Sequence, residues 1–339
     1  MTQQINRRQF LRGTAAGAVL LGGSTILAAC GGKESEVSTA PGSPQLTPLP
    51  FQASWVNDAE FAGYFVAIDN GYYTSEGIDL AYASGGPDVI PESTLLSGTA
   101  LVTLTTPETT VKAITEQGAK FKIIGAQFQK NPIGVVSLAA SGINSPADLV
   151  GKTLAVPPVN TLAVRAMFRL SDIDINDINI VPYQYDPTPL IAGEVDATID
   201  FVVNVPYTIS ELGAQASSFL LYDFGFTVFN DTIVVTEETL NNQRDMLVGW
   251  LRASRKGWDE NFKDVTKYPT LFEETWFAGT GRSIENELFF NDAQQSLIEH
   301  PDGIFAMSED AIAANISALA EVGVMADRSM FDTTLLEEI

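Results

Sequence analysis

One histidine, His300, and one cysteine, Cys30, stand in 339 residues. With only one of each there is no disulfide within the chain, no cluster of histidine or cysteine ligands for a metal, and no histidine-based triad, since His300 falls in "EHPDG", a solvated helix exit. Basic residues are also scarce: 19 Lys and Arg face 42 Asp and Glu, a net charge of −23. Such a surface repels nucleic-acid phosphates and anionic lipid head groups, so a nucleic-acid role is excluded. No Lys or Arg occurs from Phe51 through Val111 or from Leu170 through Gln243. The apolar run from Gly13 to Ala29 is too short and too rich in Gly and Ala to span a bilayer comfortably.

That run belongs to a leader. Arg7, Arg8 and Arg12 precede it with no acid among them, and Asn6-Arg7-Arg8-Gln9-Phe10-Leu11-Arg12 resembles the twin-arginine export signal. Leu27-Ala28-Ala29-Cys30-Gly31 resembles the bacterial lipobox, which implies a signal peptide over residues 1–29 and a mature chain that begins at an acylated Cys30. Removing the leader takes away three basic residues and no acidic ones, leaving 16 against 42 and a charge of −26. Residues 30–50, rich in Gly, Ser and Pro, read as a flexible tether. The expected location is the outer side of the cell membrane, held by lipid.

Past the tether, strand and helix patterns alternate. "FQASW" puts Phe51, Ala53 and Trp55 on one face of a strand, and Phe61, Phe65 and Ile68 recur at helical spacing before Gly71. Strands are expected at "IDLAYA", "ALVTLT", "FKIIGAQF" and "GVVSLA", with a helix opening at Thr106-Pro107-Glu108. A second α/β unit begins near Ser145, and the chain returns near "TIVVTEETL" to finish in helices. About 290 residues in two such units predict two lobes about a hinge: lobe 1 from 51–140 plus about 240–339, and lobe 2 from 141–239.

Four stretches then carry a resemblance. "GYFVAIDNGYYTSEGIDLAYASGG", "SGTALVTLTTPETTVKAITEQG", "SGINSPADLVGKTLAV" and "LIAGEVDATIDF" resemble the solute-binding lipoproteins of ABC importers that contain a thiamine-pyrimidine-synthase-like domain, over residues 50 to 320. The resemblance implies the type II fold of the periplasmic binding proteins, α/β in two lobes with the ligand in the cleft between. It further implies a non-enzymatic monomer without cofactor that hands a small molecule to a membrane permease. Ligands of this wider group include formylaminopyrimidines, riboflavin, sulfonates and nitrate.

The stretches without cations weigh against anionic ligands, which favour an Arg fork or a Lys, although helix N-termini also bind anions. A neutral or slightly cationic ligand with many hydrogen-bonding edges follows. Trp55, Tyr64, Tyr207, Tyr222 and Phe224 are candidates to stack on a flat ring; Phe61 and Phe65 are assigned to the core, while Trp55 and Tyr64 fit either role. Asn57, Glu60, Asn160, Thr161, Asp200 and Asn204 are candidates to read a ring edge, with Asn160 and Thr161 equally suited to capping a helix. Asp88, beside Gly85-Gly86-Pro87, reads as a turn residue. Riboflavin is the expected ligand, its tricyclic ring suited to the aromatics and its ribityl chain to Asn, Thr and Ser. A formylaminopyrimidine is the alternative.

Gly151-Lys152-Thr153 is not a phosphate loop, because Pro146 occupies its first glycine position and a strand follows it. Two other classes compete with the importer: an enzyme like the fungal pyrimidine synthase, whose cysteine-rich iron motif and active-site histidine have no counterpart here, and a surface sensor or adhesion lipoprotein.

Overall fold

The computed structural model describes residues 46–339, so the leader, Cys30 and the expected tether through Gln45 lie outside the described residues. The strands, in chain order, are β1 Thr47–Gln52, β2 Ile78–Ala83, β3 Val102–Thr105, β4 Phe121–Phe128, β5 Ile133–Leu138, β6 Thr153–Val156, β7 Asn179–Pro182, β8 Ala197–Phe201, β9 Ala216–Leu220 and β10 Asn230–Thr236. They make two five-stranded sheets, β2-β1-β3-β10-β4 and β7-β6-β8-β5-β9. Each sheet has three parallel strands at one side, and an antiparallel strand follows in each, β10 beside β3 and β5 beside β8.

The first strand starts earlier than its sequence suggests. "TPLP" looks like tether, yet Thr47–Gln52 pairs along its whole length with β2. Pro48 and Pro50 are tolerated because β3 pairs with β1 only at Phe51 and Gln52, so their missing N–H groups interrupt no ladder on that side. Trp55 accordingly lies three residues beyond the strand.

The passage between the sheets also falls elsewhere than expected. "GVVSLA" was placed in the first unit, but β5 pairs with β8 and β9 in the second sheet. The crossing is the turn at Asn131-Pro132, where the Asn131 side chain accepts the Ile133 N–H at 2.9 Å. The return runs between β9 and β10, and β10 enters the first sheet beside β3 and β4. Alternation of apolar residues locates a strand without naming its partner, so both boundaries shift by roughly ten residues from 141 and 239.

Each sheet has its own core. Phe51, Leu104, Ile124 and Ile233 of the first pack with Phe61, Phe65, Trp250 and Trp258 from helices; Val135, Leu154 and Ile199 of the second pack with Val164 and Phe168. The helices Ala62–Asp69 and Arg244–Asn261 cross closely because glycines meet there. A Cβ on Gly257 would lie 2.0 Å from the Gly63 carbonyl oxygen, and one on Gly63 would lie 2.2 Å from the Trp258 indole. That contact seats the turn that precedes the first of these helices, where the site begins. The helix Glu309–Ala320 spans the two units: Ile312 packs with Ile123 and Val234 of the first sheet, Ala318 and Leu319 with the core of the second. Among the described residues no helix is long and apolar enough to cross a membrane.

Candidate functional site

The carboxyl ends of the parallel strands in the two sheets meet. Beyond β1, Ser54 to Asn57 run along the cleft, held from behind by Gly85, whose N–H donates to the Trp55 carbonyl at 2.7 Å. Any side chain at Gly85 would collide with that backbone, its Cβ 2.5 Å from the Ala53 oxygen. Beyond β7, Tyr183 and Tyr185 approach from the other side, and the Trp55 and Tyr185 rings lie 5.4 Å apart at 59°. Deeper in, Phe201 at the end of β8 packs edge-on against Phe128 at the end of β4, 6.3 Å between centroids, and against Phe290.

Beneath the aromatic pair lies a buried group of carboxyls. Asp58 accepts the Glu60 N–H at 2.9 Å and pairs with Arg282, whose Nε donates to Glu287 at 2.8 Å. Glu287 in turn accepts the Ala59 N–H at 2.8 Å. Asp231 accepts from Ser54 Oγ at 2.6 Å and from Gln127 Nε2 at 3.3 Å, and the same amide donates to the Glu60 carbonyl oxygen at 2.8 Å. On the other sheet, Asp200 accepts the Phe201 N–H at 2.8 Å.

Burial governs the protonation of these groups. It pushes Glu60 well above the ordinary carboxylate range, and the negative charges of Asp231 and Asp58 push it further. Asp200 rises to about 6 by burial, against the opposing pull of the Phe201 N–H, Tyr183 and Arg282. Glu287 rises to about 7 for the same first reason, with Asp58 adding to it and Arg282 opposing. Asp231 and Tyr185 also hold left-handed backbones, φ +45° and +61°, which side-chain-bearing residues seldom adopt outside functional loops.

Carboxyls whose folded pKa is raised stabilise the fold below their unfolded pKa, near 4, and that contribution is lost as pH rises through 6 to 7. The melting temperature is therefore expected to fall between pH 5 and pH 8, and Asp200→Asn to flatten that slope. Thermal scans at both pH values check this; a melting temperature that climbs toward pH 8 contradicts the assignment.

Trp55, Asn57 and Glu60 follow β1, Asp200 lies near the end of β8, and Asn204 follows β8. Asn57 accepts the Tyr82 hydroxyl at 3.1 Å, and Asn204 opens the helix Val205–Glu211 with its side-chain oxygen buried and unpartnered. Asn160 and Thr161 sit at the same end of the second sheet, after β6. Thr161 turns its hydroxyl to the Pro158 carbonyl, while the Asn160 side chain makes no capping bond.

Tyr64 is corrected to the core. It is wholly buried among Phe51, Trp250, Trp258 and Phe305, with centroids 5.3 to 6.3 Å away. Every residue from Ala62 to Ala67 is buried, so helical spacing offered no outer face to separate Tyr64 from Phe61 and Phe65. Tyr222 lies past β9, its ring 5.4 Å from the Lys130 ammonium, at the return between sheets rather than beside Trp55. Tyr207 packs on Phe289, and Phe224 on Phe219.

Sequence reasoning missed Arg282, Glu287, Asp231, Gln127 and Tyr185. Arg282 also corrects the inference that the cleft lacks a cation: it enters from the C-terminal helical part, outside the two stretches surveyed. Asp231 had one legible signal, a strand-disfavoured Asp inside an apolar strand.

The family model described as NMT1/THI5 like matches residues 58–266. The chain is 24% identical to the formylaminopyrimidine-binding protein of Halalkalibacterium halodurans over 240 residues, 69% of this chain and 71% of that protein. It is 23% identical to the riboflavin-binding protein RibY of Chloroflexus aurantiacus over 219 residues, 63% of this chain and 62% of that one. Among solved structures, the periplasmic aliphatic sulphonate binding protein SsuA from Escherichia coli superposes with a TM-score of 0.65 at 14% identity, covering 84% of this chain and 90% of that one. This chain belongs to the NMT1/THI5-like family and has the two-sheet α/β fold of the periplasmic binding proteins.

Proposed function

We propose that the protein is the solute-binding component of an ABC importer and closes on a small, flat nitrogen heterocycle. In this account Cys30 carries the lipid that holds it outside the cytoplasmic membrane, beside its permease. The observation that carries the proposal is the meeting of two rings, Trp55 after a strand of one sheet and Tyr185 after a strand of the other, 5.4 Å apart and tilted by 59°, beside buried carboxyls and amides. Such a pair stacks on a planar ligand only when both lobes are in place, so ligand binding stabilises closure by differential affinity.

The sequence favoured riboflavin, the ligand named for one relative, over the formylaminopyrimidine named for another. The carboxyl-rich floor reverses that order. An aminopyrimidine edge offers an exocyclic amine to carboxylates, whereas the flavin edge flanks its single N–H with two carbonyl acceptors that carboxylates repel. Riboflavin stays as the second reading, supported by the aromatic area around Trp55. The synthase-like reading finds little support, since His300 lies after the helix Ile284–Ile298 with its Nδ1 on the Asp302 N–H.

Calorimetric titration with the formylaminopyrimidine, riboflavin and an aliphatic sulfonate tests the proposal. Binding of the pyrimidine at micromolar concentration or below is expected, weaker binding of riboflavin, and none of the sulfonate. Sulfonate as the tightest ligand would overturn it.

A further inference from the structure

Arg282 is engaged on both sides, by Asp58 and Glu287. That leaves Asp231, on the first sheet, and Asp200, on the second, with hydroxyl and amide donors but, among the described residues, no Lys or Arg in an ion pair. Two further acceptors face no donor at all. Gln127 is fully buried and holds Asp231 with its nitrogen while its Oε1 has no partner, and Asn204 Oδ1, three residues beyond β8, is buried and equally unpartnered. Buried acceptors left open are costly, and unpaired carboxylates more so, so the folded protein carries an unmet demand for N–H donors and positive charge.

We propose that the cleft is selective for an organic cation of the amidinium type, a planar nitrogen base that presents N–H donors and a positive charge to Asp231 and Gln127 on one lobe and to Asp200 and Asn204 on the other. The inference rests on the binding-protein reading above and narrows its substrate class. Asp231 stands on the first sheet and Asp200 on the second. A cation bound by both draws the lobes together where Trp55 and Tyr185 meet. The net charge of −23 adds long-range attraction for such a ligand.

The test compares near-isosteric probes on the wild-type full-length protein: benzamidinium against neutral benzamide, with the formylaminopyrimidine and riboflavin in parallel, by calorimetry. Benzamidinium is expected to bind about tenfold or more tighter than benzamide, because charge-assisted bonds to carboxylate are roughly twice as strong as neutral ones. Asp200→Asn and Asp231→Asn are expected to remove that advantage. Equal affinity for the charged and neutral probes overturns the inference, and needs no variant to fold. Riboflavin bound tightly while benzamidinium is ignored also overturns it, yet leaves the binding-protein reading standing. Failure of all four probes sinks both.

Discussion

Arg282→Met is expected to destabilise the fold by about 3–5 kcal/mol, because it strands Asp58 and Glu287 as buried carboxylates without their shared cation. Both side chains are nearly inaccessible, 1% and 2% exposed, against 21% for Arg282, so water cannot take over its role. Urea denaturation measures the loss. Adding Asp58→Asn and Glu287→Gln to the variant should restore most of the stability, since the charges that needed Arg282 are then gone. The group is also the point where sequence-distant parts converge: Asp58 and Ala59 from the turn after β1, and Arg282 and Glu287 from about the last sixth of the chain. A loss below about 1 kcal/mol, or no recovery in the triple variant, would show that the group does not hold these parts together.

Tyr64→Ala is expected to cost about 3–5 kcal/mol, the scale for emptying a buried aromatic site among Phe51, Trp250, Trp258 and Phe305. The protein that remains folded should bind ligand as the wild type does. Trp55→Ala should behave in the opposite sense. Trp55 is only half-buried at the cleft, so stability should change by about 1 kcal/mol or less while ligand affinity drops by about tenfold, the value of one offset stack. Denaturation and calorimetry on both variants separate the roles; a folded Tyr64→Ala protein that no longer binds would return Tyr64 to the site.

Much of the fold was legible because periodicity and punctuation are local. The helix stop at Gly71, the Pro107 helix start and the strand "IDLAYA" lie where turn chemistry and apolar spacing put them. What could not be read was partnership. Nothing inside "GVVSLA" says that it pairs with β8 and β9, and nothing inside "TPLP" says that its prolines face a side with no ladder. The site divided along the same line. Trp55 and Asn57 follow the end of one strand and Asp200 lies near the end of another, and all were visible as such, whereas Arg282, in the loop before the helix Ile284–Ile298, and Glu287, on that helix, come from far along the chain. Tyr185 gave no signal beyond its place after a strand, and its left-handed backbone is a property of the folded loop alone.

The central claim is capture of a planar heterocycle where Trp55 and Tyr185 meet, and a tryptophan-fluorescence titration with the formylaminopyrimidine tests it most directly. Saturable quenching at micromolar concentration or below is predicted, lost in Trp55→Ala and weakened in Tyr185→Ala, with melting temperatures unchanged. Quenching that survives in both variants, or no response to either the pyrimidine or riboflavin, would contradict it.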